Sequence, residues 1–273
     1  MIGIADDDLH WARPRNGAAT GVLVLAGSSG RLDSGRAELL ASAGVTALAL
    51  RWFGGVGQPT VACEVALETF VSALDILALE CDRLAIIGLS YGAEAALLTA
   101  VRDPRVAATV ALAPTDVAWE GQHLRAADPR RSKWTWRGEP VPFVPLDRTW
   151  VPDDPCPAFI GHYERSRQLA GPAAVEAARI PVEQIHGDLL LVAGGDDQVW
   201  PSLAAARTIV ARRAAEGLPT VLIEDPYAGH PVLLPGEVAD GLRRSYRVGG
   251  DQGSAARLGA QAWPVIRSAL GLV

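Results

Sequence analysis

The chain has 273 residues, and its hydrophobic content of 49% is ample for the packed core of one large domain. Its formal net charge of −6 argues against nucleic acid or an anionic membrane surface as the main partner. No run of about 18 apolar residues is present, and the acidic N-terminus lacks the apolar region of a signal peptide, so we expect a cytoplasmic protein. The three cysteines lack metal-ligand spacing, and we predict neither a metal nor a cofactor.

Apolar runs that predict buried strands alternate with helical patterns along the chain. The predicted strands are 21–26, 45–50, 84–88, 106–113, 188–193 and 220–223. The predicted helices are 36–43, 61–80, 93–101, 202–215 and 254–270. This alternation predicts an α/β fold: a mostly parallel, doubly wound sheet with helices on both faces, in a single domain over 1–273.

One long stretch, 114–186, interrupts the alternation. It has little strand patterning, many prolines and four tryptophans, Trp119, Trp134, Trp136 and Trp150. A loop region of this length in a compact domain is usually functional. We predict that it is an inserted lid over the active site, because pockets commonly lie where such a segment meets the sheet. The alternative is a packing subdomain that makes no contact with substrate.

The third predicted strand leads directly into Gly88-Leu89-Ser90-Tyr91-Gly92 and then into a helical pattern. A G-x-S-x-G sequence between a strand and a helix is the nucleophile elbow of an α/β-hydrolase. The turn is so tight that glycines are needed where a Cβ would clash, and the serine takes a strained backbone conformation. We therefore predict an α/β-hydrolase fold with Ser90 as the nucleophile, at the N-terminus of a helix whose dipole favours negative charge.

A serine nucleophile needs a base, and in this fold the partners follow in the order Ser, acid, His. The fifth predicted strand ends at Gly194-Gly195-Asp196-Asp197, and counting from Gly194 favours Asp197 over Asp196 as the acid. The loop after the last strand contains His230. The other histidines lie before the sheet or in and beside the insertion, at His10, His123, His162 and His186. We predict a Ser90, His230 and Asp197 triad, with Asp196 capping or tying the loop.

An oxyanion hole needs two backbone N–H groups aimed at the developing negative charge. We expect one from Tyr91, directly after the nucleophile. We expect the other from Ser28 or Ser29, in the Gly27-Ser28-Ser29-Gly30 loop that follows the first core strand.

From about Gly21 to the C-terminus, the chain resembles the hydrolase domain of the acyl-CoA thioesterases and bile acid-CoA:amino acid N-acyltransferases, which is related to dienelactone hydrolases. The segments that carry the resemblance are 27–30, 47–53, 88–94, 136–138, 140–143, 180–183, 194–202, 228–230, 249–250 and 262–264. The resemblance implies the same triad. It also implies hydrolysis of a thioester, because serine at the nucleophile is associated with hydrolysis and cysteine with transfer. The chain departs from the family in two places. It has only about twenty residues where larger members carry a β-sandwich domain before the hydrolase, and it has Tyr91 in place of the lysine that is typical of animal members.

The resemblance implies an acyl thioester as substrate, carried by coenzyme A or by an acyl carrier protein. The lid residues predicted to contact the substrate are Trp119, Trp136, Phe143 and Arg137. Basic residues of the lid form either a coenzyme A phosphate site or a solvated surface: Arg125, Arg130, Arg131, Lys133 and Arg137.

Three competing interpretations keep the same fold. One is a carboxylesterase or dienelactone-type hydrolase acting on oxygen esters, and another is an acyltransferase that uses the same triad. The third is a non-catalytic binding protein, which the intact set of Ser90, Asp197 and His230 argues against.

Overall fold

We describe the protein from a computed structural model, over residues 3–125, 127–152, 154–238 and 244–272. The strands are β1 (Leu9–Ala12), β2 (Thr20–Leu25), β3 (Thr46–Leu50), β4 (Val65–Ala66), β5 (Arg83–Leu89), β6 (Val106–Leu112), β7 (Trp134–Trp136), β8 (Glu139–Pro140), β9 (Asp188–Gly194) and β10 (Val221–Asp225). The helices are α1 (Ser34–Ala43), α2 (Glu68–Leu77), α3 (Tyr91–Ala100), α4 (Ile160–Ala177), α5 (Ser202–Ala215) and α6 (Ser254–Ala269).

The central sheet has the order β1-β3-β2-β5-β6-β9-β10. Strand β1 pairs antiparallel with β3, and the other six strands run parallel to one another. The six predicted strands are these six parallel ones, which confirms the prediction of a mostly parallel sheet. Strand β1 was not predicted, because a four-residue edge strand that is only partly buried leaves no continuous apolar run.

The parallel strands are apolar throughout because both faces of the sheet are covered. Along β2, Leu23 and Leu25 pack into the hydrophobic core on the side of α2 and α3. Their neighbours Val22 and Val24 pack into a second core with residues of α1 and α6. Successive side chains of a strand point to opposite faces, so a strand buried on both sides shows no polar alternation.

The predicted helix 61–80 is wrong in its first part, since α2 begins only at Glu68. Val65 and Ala66 instead pair with Trp134 and Thr135 in a small second sheet of order β4-β7-β8. The apolar residues of 61–67 therefore serve a strand pairing that joins the insertion to the main domain, and a helical periodicity cannot reveal that pairing.

The insertion 114–186 contains β7, β8 and the unpredicted helix α4. Its helical pattern is weak because Gly171 has a non-helical φ of 75° and Pro172 follows it. Side chains of the insertion, Trp134 and Tyr163 among them, belong to the same hydrophobic core as the strands of the main sheet. Three buried carboxylates hold arginines within the insertion, in the pairs Asp116–Arg167, Glu120–Arg148 and Asp147–Arg165.

Candidate active site

Ser90 occupies the turn between β5 and α3 with φ 59° and ψ −119°. This region of backbone space is unfavourable for a residue with a Cβ. A Cβ on Gly88 would collide with the carbonyl of Gly92, and one on Gly92 would collide with the carbonyl of Leu25. A 2.9 Å hydrogen bond from Ser90 N to Leu112 O attaches the turn to the neighbouring strand β6. Both glycines are therefore required by the close backbone approach that gives Ser90 its conformation.

His230 and Asp197 form a buried pair on the loops after β10 and β9. The Nδ1 atom of His230 lies 2.8 Å from Oδ2 of Asp197, and because a carboxylate only accepts, Nδ1 donates. Ser202 Oγ donates to the same carboxylate oxygen at 2.6 Å. The other oxygen accepts from the N–H groups of Val199 and Trp200 at 2.8 and 3.2 Å. These four hydrogen bonds fix the carboxylate and leave Nε2 of His230 free to accept a proton.

Asp196 points elsewhere. Its carboxylate is exposed and accepts from Gly250 N and from Gln198 Nε2, each at 2.7 Å. Asp196 thus ties its own loop to the chain that follows His230. This arrangement supports Asp197 as the acid and Asp196 as the loop tie.

The loop that carries His230 is positioned by close backbone contacts. His230 N donates to Val248 O at 2.7 Å. A Cβ on Gly229 would collide with the carbonyl of Gly249, and one on Gly194 would collide with the carbonyl of Ala228. The glycines beside both candidate catalytic side chains therefore allow the β9 and β10 loops to pack against each other.

The predicted oxyanion-hole residues lie around Ser90. Tyr91 is the first residue of α3, where backbone N–H groups have no partner within the helix. A Cβ on Gly27 would stand 3.3 Å from Ser90 Cβ and 3.8 Å from Ser90 Oγ, so the start of the 27–30 loop passes directly against Ser90. Ser28 and Ser29 are exposed in that loop. Among the described residues no hydrogen bond to Ser90 Oγ is found, so its contact with His230 stays a prediction.

Two aromatic residues that were not predicted as site residues join the candidate site to the insertion. The ring of Trp200 lies 5.8 Å from that of Tyr91 and 6.0 Å from that of His230, between centroids. Tyr163, on α4, approaches Trp200 at 5.7 Å, and its hydroxyl lies 3.2 Å from that of Tyr91. Burial raises the pKa of Tyr163, which keeps its hydroxyl neutral. Trp200 was detectable from its place three residues after Asp197, whereas Tyr163 lies in the missed helix.

The predicted substrate contacts fall in different places. Trp119 is buried edge-on against Tyr163, 4.8 Å between centroids, and Phe143 is half-buried in the lid. Trp136 instead packs at 5.5 Å from the guanidinium of Arg102, beyond the C-terminal end of α3, and Arg137 is exposed beside it. A ten-residue helix is about 15 Å long, and Ser90 lies at its other end. Both residues lie towards the end of α3 away from Ser90, and their contact with substrate stays a prediction.

The basic residues of the lid do not form a shared phosphate site. Lys133 is fully buried and its Nζ donates to Glu94 Oε2 at 2.6 Å. The arginines are matched by separate carboxylates, in the pairs Arg125–Asp128, Arg130–Glu120 and Arg131–Glu64. The basic stretch of the sequence is therefore divided among separate ion pairs, of which Arg125–Asp128 is local and the others join residues farther apart in the chain.

Neither a metal cluster nor a membrane span is found within the described ranges. No group of three His, Cys, Asp or Glu side chains there is placed to hold a metal ion. No helix in that part of the chain is long and apolar enough to cross a membrane.

A parallel sheet covered on both faces, a serine on a strained strand-to-helix turn and a His–Asp pair on two later loops define an α/β-hydrolase. The fold matches that of a Klebsiella pneumoniae protein assigned as a dienelactone hydrolase, with a TM-score of 0.57, 16% identity and coverage of 97% of this chain and 92% of that one. It also matches a lipase in an open form, with a TM-score of 0.54, 15% identity and coverage of 96% and 94%. These matches confirm the predicted fold class.

Residues 65–238 match the family model described as BAAT / Acyl-CoA thioester hydrolase C terminal, and the chain belongs to this family. The family resemblance inferred from sequence is confirmed, and so is the prediction of an enzyme. Similar proteins are the bile acid-CoA:amino acid N-acyltransferase of Mus musculus and the acyl-coenzyme A amino acid N-acyltransferase 2 of Rattus norvegicus, each 27% identical over 227 residues. The match covers 81% of this chain and 51% of each relative, so the chain spans about half their length.

Proposed function

We propose that this chain is a serine-dependent acyl-thioester hydrolase that works through Ser90, His230 and Asp197. The observation that carries the proposal is the buried 2.8 Å hydrogen bond between His230 and Asp197, in a chain whose elbow presents Ser90. Trp200 supports it further, because its ring contacts both His230 and the residue next to Ser90. The membership of an acyl-CoA thioester hydrolase family supports a thioester substrate.

In the first half-reaction, Ser90 Oγ attacks the thioester carbonyl while His230 Nε2 takes its proton. Asp197 holds the imidazole in the tautomer that leaves Nε2 unprotonated and stabilises the imidazolium that forms. The N–H groups of Tyr91 and of Ser28 or Ser29 bind the oxyanion of the tetrahedral intermediate. Its collapse breaks the C–S bond, the departing thiolate takes the proton from His230 and leaves as the thiol, and an ester remains on Ser90.

The second half-reaction is hydrolysis of that ester. His230 removes a proton from a water molecule, which attacks the acyl carbonyl, and then returns the proton to Ser90 Oγ as the acid leaves. The proposed acyl site lies beneath α4, against Tyr163 and Trp200, with Trp119 packed behind Tyr163. The thiol carrier is coenzyme A or an acyl carrier protein.

Thiol release from acyl-CoAs of increasing chain length, by the wild-type chain and by Ser90→Ala, tests the proposal. We expect turnover in the wild type and a loss of at least about a thousandfold in the variant, since the nucleophile is removed. Ser42→Ala, an exposed serine on α1, is the matched control and should keep full activity. Cleavage of p-nitrophenyl esters without thiol release from any acyl-CoA or acyl carrier protein would replace the proposal by an oxygen-ester hydrolase.

A second candidate is transfer of the acyl group to an amino acid, the activity after which the two similar proteins are named. The same acyl-enzyme would then be attacked by an amine instead of water. Mass spectrometry of the products in the presence of glycine separates the two: free acid alone supports hydrolysis, and an N-acyl product supports transfer.

A further inference from the structure

The chain contains a single lysine, Lys133, and its ammonium group is buried directly beside the nucleophilic turn. Lys133 directly precedes β7 in the insertion, and its side chain extends to Glu94 on α3. Nζ lies 2.6 Å from Glu94 Oε2 and 3.4 Å from the centroid of the Tyr91 ring. A cation this close to an aromatic face makes a cation–π contact, which is strongest where water is excluded.

Glu94 accounts for the charge of Lys133 but not for its position. The carboxylate is fully buried and its other oxygen accepts from Trp119 N at 3.0 Å and from Trp134 Nε1 at 2.7 Å. Glu94 thereby fastens two parts of the insertion to α3, and a buried carboxylate of this kind requires a countercharge. A countercharge alone has no need to sit over a ring, least of all near a helix N-terminus, where the dipole disfavours a cation.

The ring that Lys133 contacts belongs to the residue after the nucleophile. It is enclosed by the ammonium of Lys133 and the ring of Trp200, while its hydroxyl meets that of Tyr163. The Tyr91 backbone carries the proposed oxyanion donor and is joined directly to Ser90. A shift of about 1 Å in such a group costs on the order of a hundredfold in rate.

We infer that Lys133 is a positioning residue, whose ammonium fixes the Tyr91 ring and through it the Ser90 turn and the Tyr91 N–H. This inference rests on the proposed function, in which Ser90 is the nucleophile. A merely structural Lys133 would serve only to neutralise Glu94. The two roles separate when both charges are removed together.

The experiment compares Lys133→Met with the double variant Glu94→Gln/Lys133→Met. The double variant leaves no buried charge unpaired and keeps an acceptor for the Trp119 and Trp134 N–H groups, so we expect its folding stability to exceed that of Lys133→Met. Arg167→Met is the matched control, because it also removes the cationic partner of a buried carboxylate, that of Asp116. The Arg167 side chain is paired with Asp116 and not with the Tyr91 ring.

The first readout is the rate at which a fluorophosphonate phosphonylates Ser90, with Oγ displacing fluoride, because this rate is independent of the natural substrate. The second is kcat and KM with the best thioester. We expect both the labelling rate and kcat to fall about thirtyfold in the double variant, the factor expected from a desolvated cation–π contact. KM should change little, and Arg167→Met should label at the wild-type rate once folded.

A double variant that is stable and labels Ser90 at the wild-type rate would overturn the inference and leave Lys133 as a countercharge. Labelling of the wild type without thiol release from any thioester would overturn the proposed thioesterase activity instead, while the labelling rates still report on Lys133. A wild type in which Ser90 does not react at all would overturn both.

Discussion

Two neighbouring aspartates in one turn differ in burial and in the hydrogen-bond donors to their carboxylate oxygens. Asp197 is buried and accepts from His230, Ser202 and two backbone N–H groups. Asp196 is exposed and accepts from Gly250 N and Gln198. A carboxylate that orients an imidazole must itself be held, and the extra donors to Asp197 provide that support.

We predict that Asp197→Asn lowers kcat by about 10⁴-fold, because an amide at this position favours the wrong imidazole tautomer. Asp196→Asn is the matched control one residue away, and it keeps an acceptor oxygen for Gly250 N. Steady-state kinetics with the best substrate measure both variants. The reverse ranking, with Asp196→Asn more damaging than Asp197→Asn, would contradict the assignment of the acid.

At the scale of elements, the helix α4 is fastened to the loop before it through Asp147. The side chain accepts from Thr149 N and Oγ1 at 2.9 and 2.6 Å and from Arg165 Nε at 2.6 Å. Its backbone N–H donates to Ser166 Oγ. The hydrogen bonds from Thr149 and then from Arg165 hold the pKa of Asp147 at about 2. The same helix carries Tyr163 to the candidate site, so this attachment bears on the position of the lid.

We predict that the stability difference between the wild type and Asp147→Asn depends on pH. The folded pKa of Asp147 lies below its unfolded value of about 3.9, so the carboxylate stabilises the fold above that value. This contribution is lost as the pH falls through about 4 towards about 2. Urea unfolding at a series of pH values measures it. A difference that stays constant from neutral pH down to about 2.5 would contradict the role of the charge.

At the scale of the whole molecule, the insertion and the sheet share one hydrophobic core. Trp134 is fully buried and its ring lies 5.2 Å from Trp52 and 5.9 Å from Phe70, both in the main domain. The β4–β7 pairing and the buried Glu94 add polar connections between the same parts. An insertion joined in this way is continuous with the rest of the domain next to α3.

We predict that Trp134→Ala destabilises the protein by about 3–5 kcal/mol, the usual cost of removing a buried aromatic side chain. The loss should appear as one cooperative transition, with circular dichroism and fluorescence changing together. Trp150→Ala, a half-buried tryptophan of the same insertion, should cost less. An early transition confined to fluorescence would show instead that the insertion unfolds separately, against the prediction of a single domain.

Local features of the fold could be predicted from the sequence, whereas long-range contacts could not. The G-x-S-x-G turn and the six parallel strands were predictable because tight turns and doubly buried strands depend on adjacent residues. Residues 61–67 and the helix α4 were not, because a pairing partner 69 positions away and a Gly171-Pro172 break override local periodicity. Two basic residues of the insertion illustrate the same limit, since only the fold brings Arg131 and Lys133 to carboxylates 67 and 39 positions away.

The sequence by itself determined the fold class, the family and the order of Ser90, Asp197 and His230, because these rest on short patterns at fixed places in the chain. The tertiary structure decided which of two adjacent aspartates meets His230, and it placed Trp136 against Arg102, towards the end of α3 away from Ser90. It also placed the ammonium group of Lys133 in a buried position over the Tyr91 ring, although the basic stretch of sequence around Lys133 is typical of a surface. Such contacts join residues far apart in the chain, and their geometry depends on how the elements pack around the shared core.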